Sequence, residues 1–102
     1  MTSRIERIRE LLARELSPTQ LDVEDESHRH RGHEGAKDGR GHFRVRIVAA
    51  AFSGKPALAR HRMVYAALGD MMTKDIHALA MDARAPEEAK DNGHAKNENA
   101  NV

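Results

Sequence analysis

His42-Phe43-Arg44-Val45-Arg46-Ile47-Val48-Ala49 is the stretch on which the fold turns. Phe43, Val45 and Ile47 alternate with Arg44 and Arg46, the two-residue period of an extended chain with one face buried and the other in water. Such a strand needs neighbours for its backbone and a second layer for its apolar face. The flanking sequence offers both. Upstream, Leu21 to Asp25 alternates over a shorter span and predicts a strand. Downstream, Ile76 to Arg84 reads as a third, with His77, Leu79 and Met81 on one side and Ile76, Ala78 and Ala80 on the other, so that both faces are expected to be buried.

Helical spacing supplies the covering layer. Ile5, Ile8, Leu11, Leu12 and Leu16 form one apolar stripe, and Ser3 followed by Glu6 is a capping box, each side chain meeting a backbone N–H at the helix start. A helix is predicted from Ser3 to Leu16, ending at Ser17-Pro18. After Ser53-Gly54, Pro56 suits a first helical position, and Leu58, Val64, Tyr65, Leu68, Met71 and Met72 extend a second stripe to about Met72. The element order is α-β-β-α-β: an α/β (α+β) sandwich with a three-stranded sheet and its helices on one face.

The 102 residues suffice for one domain with one modest core. With aromatic content at 3% and no Trp, that core must be aliphatic. The domain is expected over residues 1–85. From Pro86 the chain is rich in Asn, Glu, Lys and Ala and cannot recover the entropy of ordering, so 86–102 reads as a disordered polar tail after at most one helical turn.

Composition also excludes. No apolar run approaches the roughly 18 residues of a membrane span, and Met1 to Glu6 lacks the apolar segment of a secretory signal, so the expectation is a cytoplasmic protein with no membrane partner. There is no Cys, hence no disulfide, no thiolate nucleophile and no thiolate metal ligand. Net charge is +1, and without the tail 15 Lys/Arg stand against 12 Asp/Glu, a bias too weak to recommend nucleic acid or to exclude it. Phosphate-loop, dinucleotide, zinc-protease and nucleophile-elbow motifs are absent, and a core this small leaves little room for an enclosed pocket. The protein is not expected to be an enzyme.

Chemistry concentrates in histidine. Residues 26–41 contain four Gly, many charges, and His28, His30 and His33 beside Glu26 and Glu34. Imidazole is a good ligand for borderline metals, yet no second ligand pair completes a closed zinc site, and solvated loop histidines would look the same. His61 falls on or near the second helix's stripe, where a half-buried, hydrogen-bonded ring is as good an account as function. His77 opens the last strand, at the rim of a sheet.

Five segments together resemble the successive signature segments of the BolA family: Asp25-Glu26-Ser27-His28-Arg29-His30, Gly41-His42-Phe43-Arg44-Val45, Phe52-Ser53-Gly54, Arg60-His61-Arg62-Met63-Val64-Tyr65 and Ile76-His77-Ala78-Leu79-Ala80. They stand in the family's order and span about residues 3–85. The resemblance implies a fold like the type II KH arrangement. It also implies a monothiol glutaredoxin as heterodimeric partner, with a [2Fe-2S] cluster held between a glutaredoxin Cys, glutathione and histidine from this chain. Carried over by position, the final-strand ligand is His77 and the loop ligand is His30, with His33 or His28 as alternatives in a loop that has extra histidines. Neutral imidazole in place of thiolate raises a cluster's potential, which fits a carrier or sensor of iron or redox state.

The resemblance also suggests DNA-binding transcriptional regulation for some members. KH domains clamp nucleic-acid backbone with a GXXG loop. Gly54-Lys55-Pro56-Ala57 lacks the second Gly, leaving Lys55, Arg60 and Arg62 as candidate phosphate contacts. A third alternative is storage of zinc or nickel by the loop histidines alone.

Overall fold

The computed structural model describes residues 3–27 and 39–89. Helix α1 runs Arg4–Leu16. Its start is the capping box read from sequence: the Glu6 N–H donates to Ser3 Oγ (3.1 Å) and the Ser3 N–H to Glu6 Oε1 (3.0 Å). Ser17 ends it in the left-handed region (φ 47°), donating its N–H to the Ala13 carbonyl at 3.1 Å, and Pro18 cannot continue the helix.

Strands β1 (Gln20–Asp25), β2 (Gly41–Val48) and β3 (Ile76–Arg84) form one mixed sheet in the order β1-β2-β3. β1 pairs antiparallel with β2, and β3 parallel to it. A parallel neighbour demands a long crossover, provided here by a 3-10 turn at Ala50–Phe52, helix α2 (Ala57–Leu68) and the short helix α3 (Met71–Lys74). The predicted order of elements holds.

The alternation in β2 sorts the two faces. Phe43, Val45 and Ile47 are at 2% exposure or less and pack with Ile8 and Leu12 of α1, Val64 and Leu68 of α2, Phe52 and Ile76, so the core expected to be aliphatic also holds both phenylalanines of the chain. Each large apolar side chain buried there contributes about 1.5–3 kcal/mol. On the other face the registered neighbours are Asp22 with Arg46 and Glu24 with Arg44, opposite charges facing across the strands.

Three expectations need correction. The second helix does not run unbroken to Met72: it stops at Leu68, where Gly69 takes φ 56° and ψ −127°, a conformation open to glycine, and a new turn begins at Met71. Leu58 (60% exposed) and Tyr65 (41%), seven residues apart on α2, point to solvent, because the buried side of the helix is set by Val64 and Leu68. And β3 is not buried on both faces: Ala78 and Ala80 are exposed, since α1 and α2 both pack on the side of Phe43 and Val45.

After β3 the chain forms one helical turn over residues 86–89, and Glu88 in it binds back to the domain. The disordered tail expected beyond it, from residue 90, lies outside the described residues.

Candidate ligand site at the start of the third strand

The chain on either side of residues 28–38 is tied to β1, β2 and α1. At the β1 end the Glu26 N–H donates to the His42 carbonyl (2.7 Å), the His42 N–H to Ser27 Oγ (3.0 Å), and the Ser27 N–H to Asp25 Oδ1 (2.9 Å). At the β2 end the Gly41 N–H donates to the Asp75 carbonyl (2.9 Å). Asp75 in turn is tied to α1, its Oδ1 accepting from Arg4 Nε at 3.2 Å and from Arg7 Nη2 at 3.0 Å. Gly41 is demanded by packing: a Cβ there would meet the Phe43 ring at 2.6 and 2.7 Å.

His77 emerges from this frame on a bulge. Ile76 registers with Gly41 and Ala78 with His42, so His77 is an additional residue in β3 with no registered partner in β2. The bulge turns it out of the strand alternation, and its side chain is exposed. The His77 ring lies 5.1 Å from that of His42, tilted by 47°, and His42 itself is only 8% exposed. Arg40 Nη2 sits 3.2 Å from His77 Nδ1. A guanidinium has no acceptor, so in this contact Nδ1 offers its lone pair.

Below His42, a shallow groove on the open sheet face is lined by Glu26, Arg44, Ala78 and Ala80. Glu26, at 8% exposure, accepts from Arg44 Nε at 2.9 Å, and that hydrogen bond and charge raise the pKa of the guanidinium. Among the described residues no group of three or more His, Asp or Glu converges as a metal cage.

Of the residues singled out from sequence, His77 stands at this rim, while His28, His30 and His33 fall outside the described residues. His61 is half-buried on α2 and separate from the site. Lys55 and Arg62 are exposed. Arg60 is not presented to solvent: it donates to the Lys55 carbonyl (2.8 Å), the Ala83 carbonyl (3.0 Å) and both carboxylate oxygens of Glu88 (2.6 and 3.1 Å). Sequence reasoning missed His42 and Arg40. The one available signal was that each immediately adjoins the strand start that Gly41 anchors.

Comparison with known proteins decides the family. The family model described as BolA-like protein matches residues 12–88. The chain belongs to the BolA family. Among BolA relatives, it is 45% identical over 91 residues to SufE-like protein 1, chloroplastic/mitochondrial, of Arabidopsis thaliana, covering 84% of this chain and 24% of that protein. The solved BolA domain of that plant's SufE1 superposes with a TM-score of 0.75, covering 86% of this chain and 98% of the domain. Protein BOLA1, chloroplastic, of the same plant is 40% identical over 90 residues, covering 85% of this chain and 56% of that protein. The DNA-binding transcriptional regulator BolA of Escherichia coli is 41% identical over 76 residues, with 74% and 70% covered. The chain therefore spans about a quarter to a half of the two plant proteins. BolA-like proteins are generally non-catalytic. Among the described residues no helix is long and apolar enough to cross a membrane.

Proposed function

We propose that this BolA-like protein is a non-catalytic, cytoplasmic carrier or regulator that shares a [2Fe-2S] cluster with a monothiol glutaredoxin and its glutathione, contributing His77 as a ligand. The observation that carries this reading is the bulge: it takes an imidazole out of the sheet and offers it at a rim tied by hydrogen bonds and ion pairs to β1, β2 and α1. The donor set suits a shared cargo. With no Cys in the chain, every cluster thiolate must come from a partner, and His77 faces outward, toward where a partner would dock. One of the loop residues His30, His33 and His28 would complete the protein's share.

A ligand on a rim already tied down by hydrogen bonds and ion pairs loses little entropy when the second molecule arrives, which favours the mixed complex. The chain's own work is then to hold the His77 ring in place, supply nitrogen rather than sulfur, and return the cargo when the partner leaves. Reconstitution with cluster-loaded glutaredoxin tests this: His77→Ala should remain folded and lose the visible circular dichroism of the mixed complex. A mutant complex with the wild-type spectrum would remove His77 as a ligand.

The name of the E. coli relative supports a second reading, DNA binding. Lys55 and Arg62 remain the contacts of choice, whereas Arg60 would have to abandon Glu88. Salt-sensitive, sequence-selective binding of duplex DNA that weakens in Lys55→Ala and Arg62→Ala would favour it.

A further inference from the structure

We propose that Arg40 is a latch on His77, holding its Nδ1 lone pair in the metal-free protein and letting go whenever His77 takes a metal ligand's role. The inference deepens the reading above and rests on His77 being a ligand.

A neutral imidazole has one N–H and one bare nitrogen, and a guanidinium can only donate. With Arg40 Nη2 3.2 Å from Nδ1, the bare nitrogen is Nδ1 and the proton sits on Nε2. A metal ion bound at Nδ1 would take the very lone pair that Arg40 uses. A metal ion bound at Nε2 would require the proton to move to Nδ1, where an N–H would then face the N–H groups of the guanidinium. Either way the Arg40–His77 contact and ligation exclude each other.

The latch has two consequences. Stray divalent cations meet a histidine whose lone pair is occupied and whose neighbour is positively charged, so both terms oppose binding without a partner. Were His77 to become a ligand, the Arg40 guanidinium, displaced from Nδ1, would still carry its positive charge close to the anionic thiolates that an iron-sulfur cargo brings. A cation leaving a lone pair for a cluster bearing negative charge costs little at that moment. Ligation by His77 is thereby coupled to the arrival of an anionic, thiolate-bearing partner rather than of a bare cation.

The test uses the whole chain and two readouts. At about pH 8, where an ordinary imidazole is neutral, the nitrogen-15 shifts of the His77 ring report which nitrogen holds the proton. The wild type is expected in the Nε2–H form, and Arg40→Ala with a smaller share of that form. Titration with Zn(II) alone, followed at the same ring, should show binding tighter in Arg40→Ala by about 2- to 10-fold, the effect of one hydrogen bond. Arg40→Gln, which keeps an N–H donor without the charge, should fall between the two. An unchanged tautomer in Arg40→Ala would overturn the latch, as would an unchanged Zn(II) affinity; a gain in affinity without a change of tautomer would trace the effect to charge and overturn it equally. All of this is measured without glutaredoxin, so a failure of the shared-cluster function and a failure of the latch are separate results.

Discussion

Arg60 and Glu88 meet in a two-point ion pair, Nη1 to Oε1 at 2.6 Å and Nη2 to Oε2 at 3.1 Å, which closes the end of the domain onto the crossover helix. Glu88 Oε1 also accepts from the Ala85 N–H at 2.8 Å, so a residue of the polar C-terminal segment caps its own helical turn while clamping α2. The guanidinium and the Ala85 N–H together hold the Glu88 carboxyl down at about 2.

The pH dependence of stability follows from that shift. Because the folded-state pKa lies below the unfolded value, the contribution of Glu88 is complete above the usual carboxylate value of 4.5 and is lost as the pH falls toward about 2. Urea unfolding of the wild type and Glu88→Gln should differ by a constant amount above about pH 5 and converge as the pH approaches 2. Curves that stay parallel throughout would mean that the carboxylate charge at Glu88 does not contribute.

Gly41→Ala should cost about 1–3 kcal/mol, since the added methyl overlaps the Phe43 ring and the ring sits in a packed core. The cause is steric, because Gly41 is not among the residues of positive φ. Shortening the ring in a Phe43→Leu background should therefore make the alanine less harmful than it is in the wild type, a coupling that a double-mutant cycle in urea measures.

Asp75→Asn weakens the tie between α1 and the start of β3 by removing the charge that Arg4 and Arg7 share. The Asp75 side chain is only 17% exposed, but both arginines reach water at 38% and 43%, so the pairs are screened and the global cost should stay at about 1 kcal/mol. The local effect should be larger: hydrogen exchange at the Gly41 N–H, which donates to the Asp75 carbonyl, is expected to accelerate more than exchange at Val45 in the centre of the sheet.

How much of this was legible beforehand depended on whether a feature was local. The capping box at Ser3 and Glu6 and the alternation of Phe43, Val45 and Ile47 are written in neighbouring residues, and they gave α1 and β2 directly. The break at Gly69 was signalled by the glycine, but the apolar run of Leu68, Met71 and Met72 kept the helical period going and masked it. The bulge that presents His77 was invisible, because it arises from the register between Gly41 and Ile76, 35 positions apart in the chain. A comparable separation, 37 positions for Arg40, hid the pairing of His42 and of Arg40 with His77. Glu88 looked like part of a solvated tail until Arg60, on another element, supplied its partner.

Shared ligation is tested most directly by titrating this protein into a monothiol glutaredoxin carrying a glutathione-ligated [2Fe-2S] cluster, anaerobically, while recording visible circular dichroism. Shared ligation predicts a new spectrum that saturates at one protein per cluster and that His77→Ala cannot produce. A spectrum that stays that of glutaredoxin alone at every ratio would contradict it.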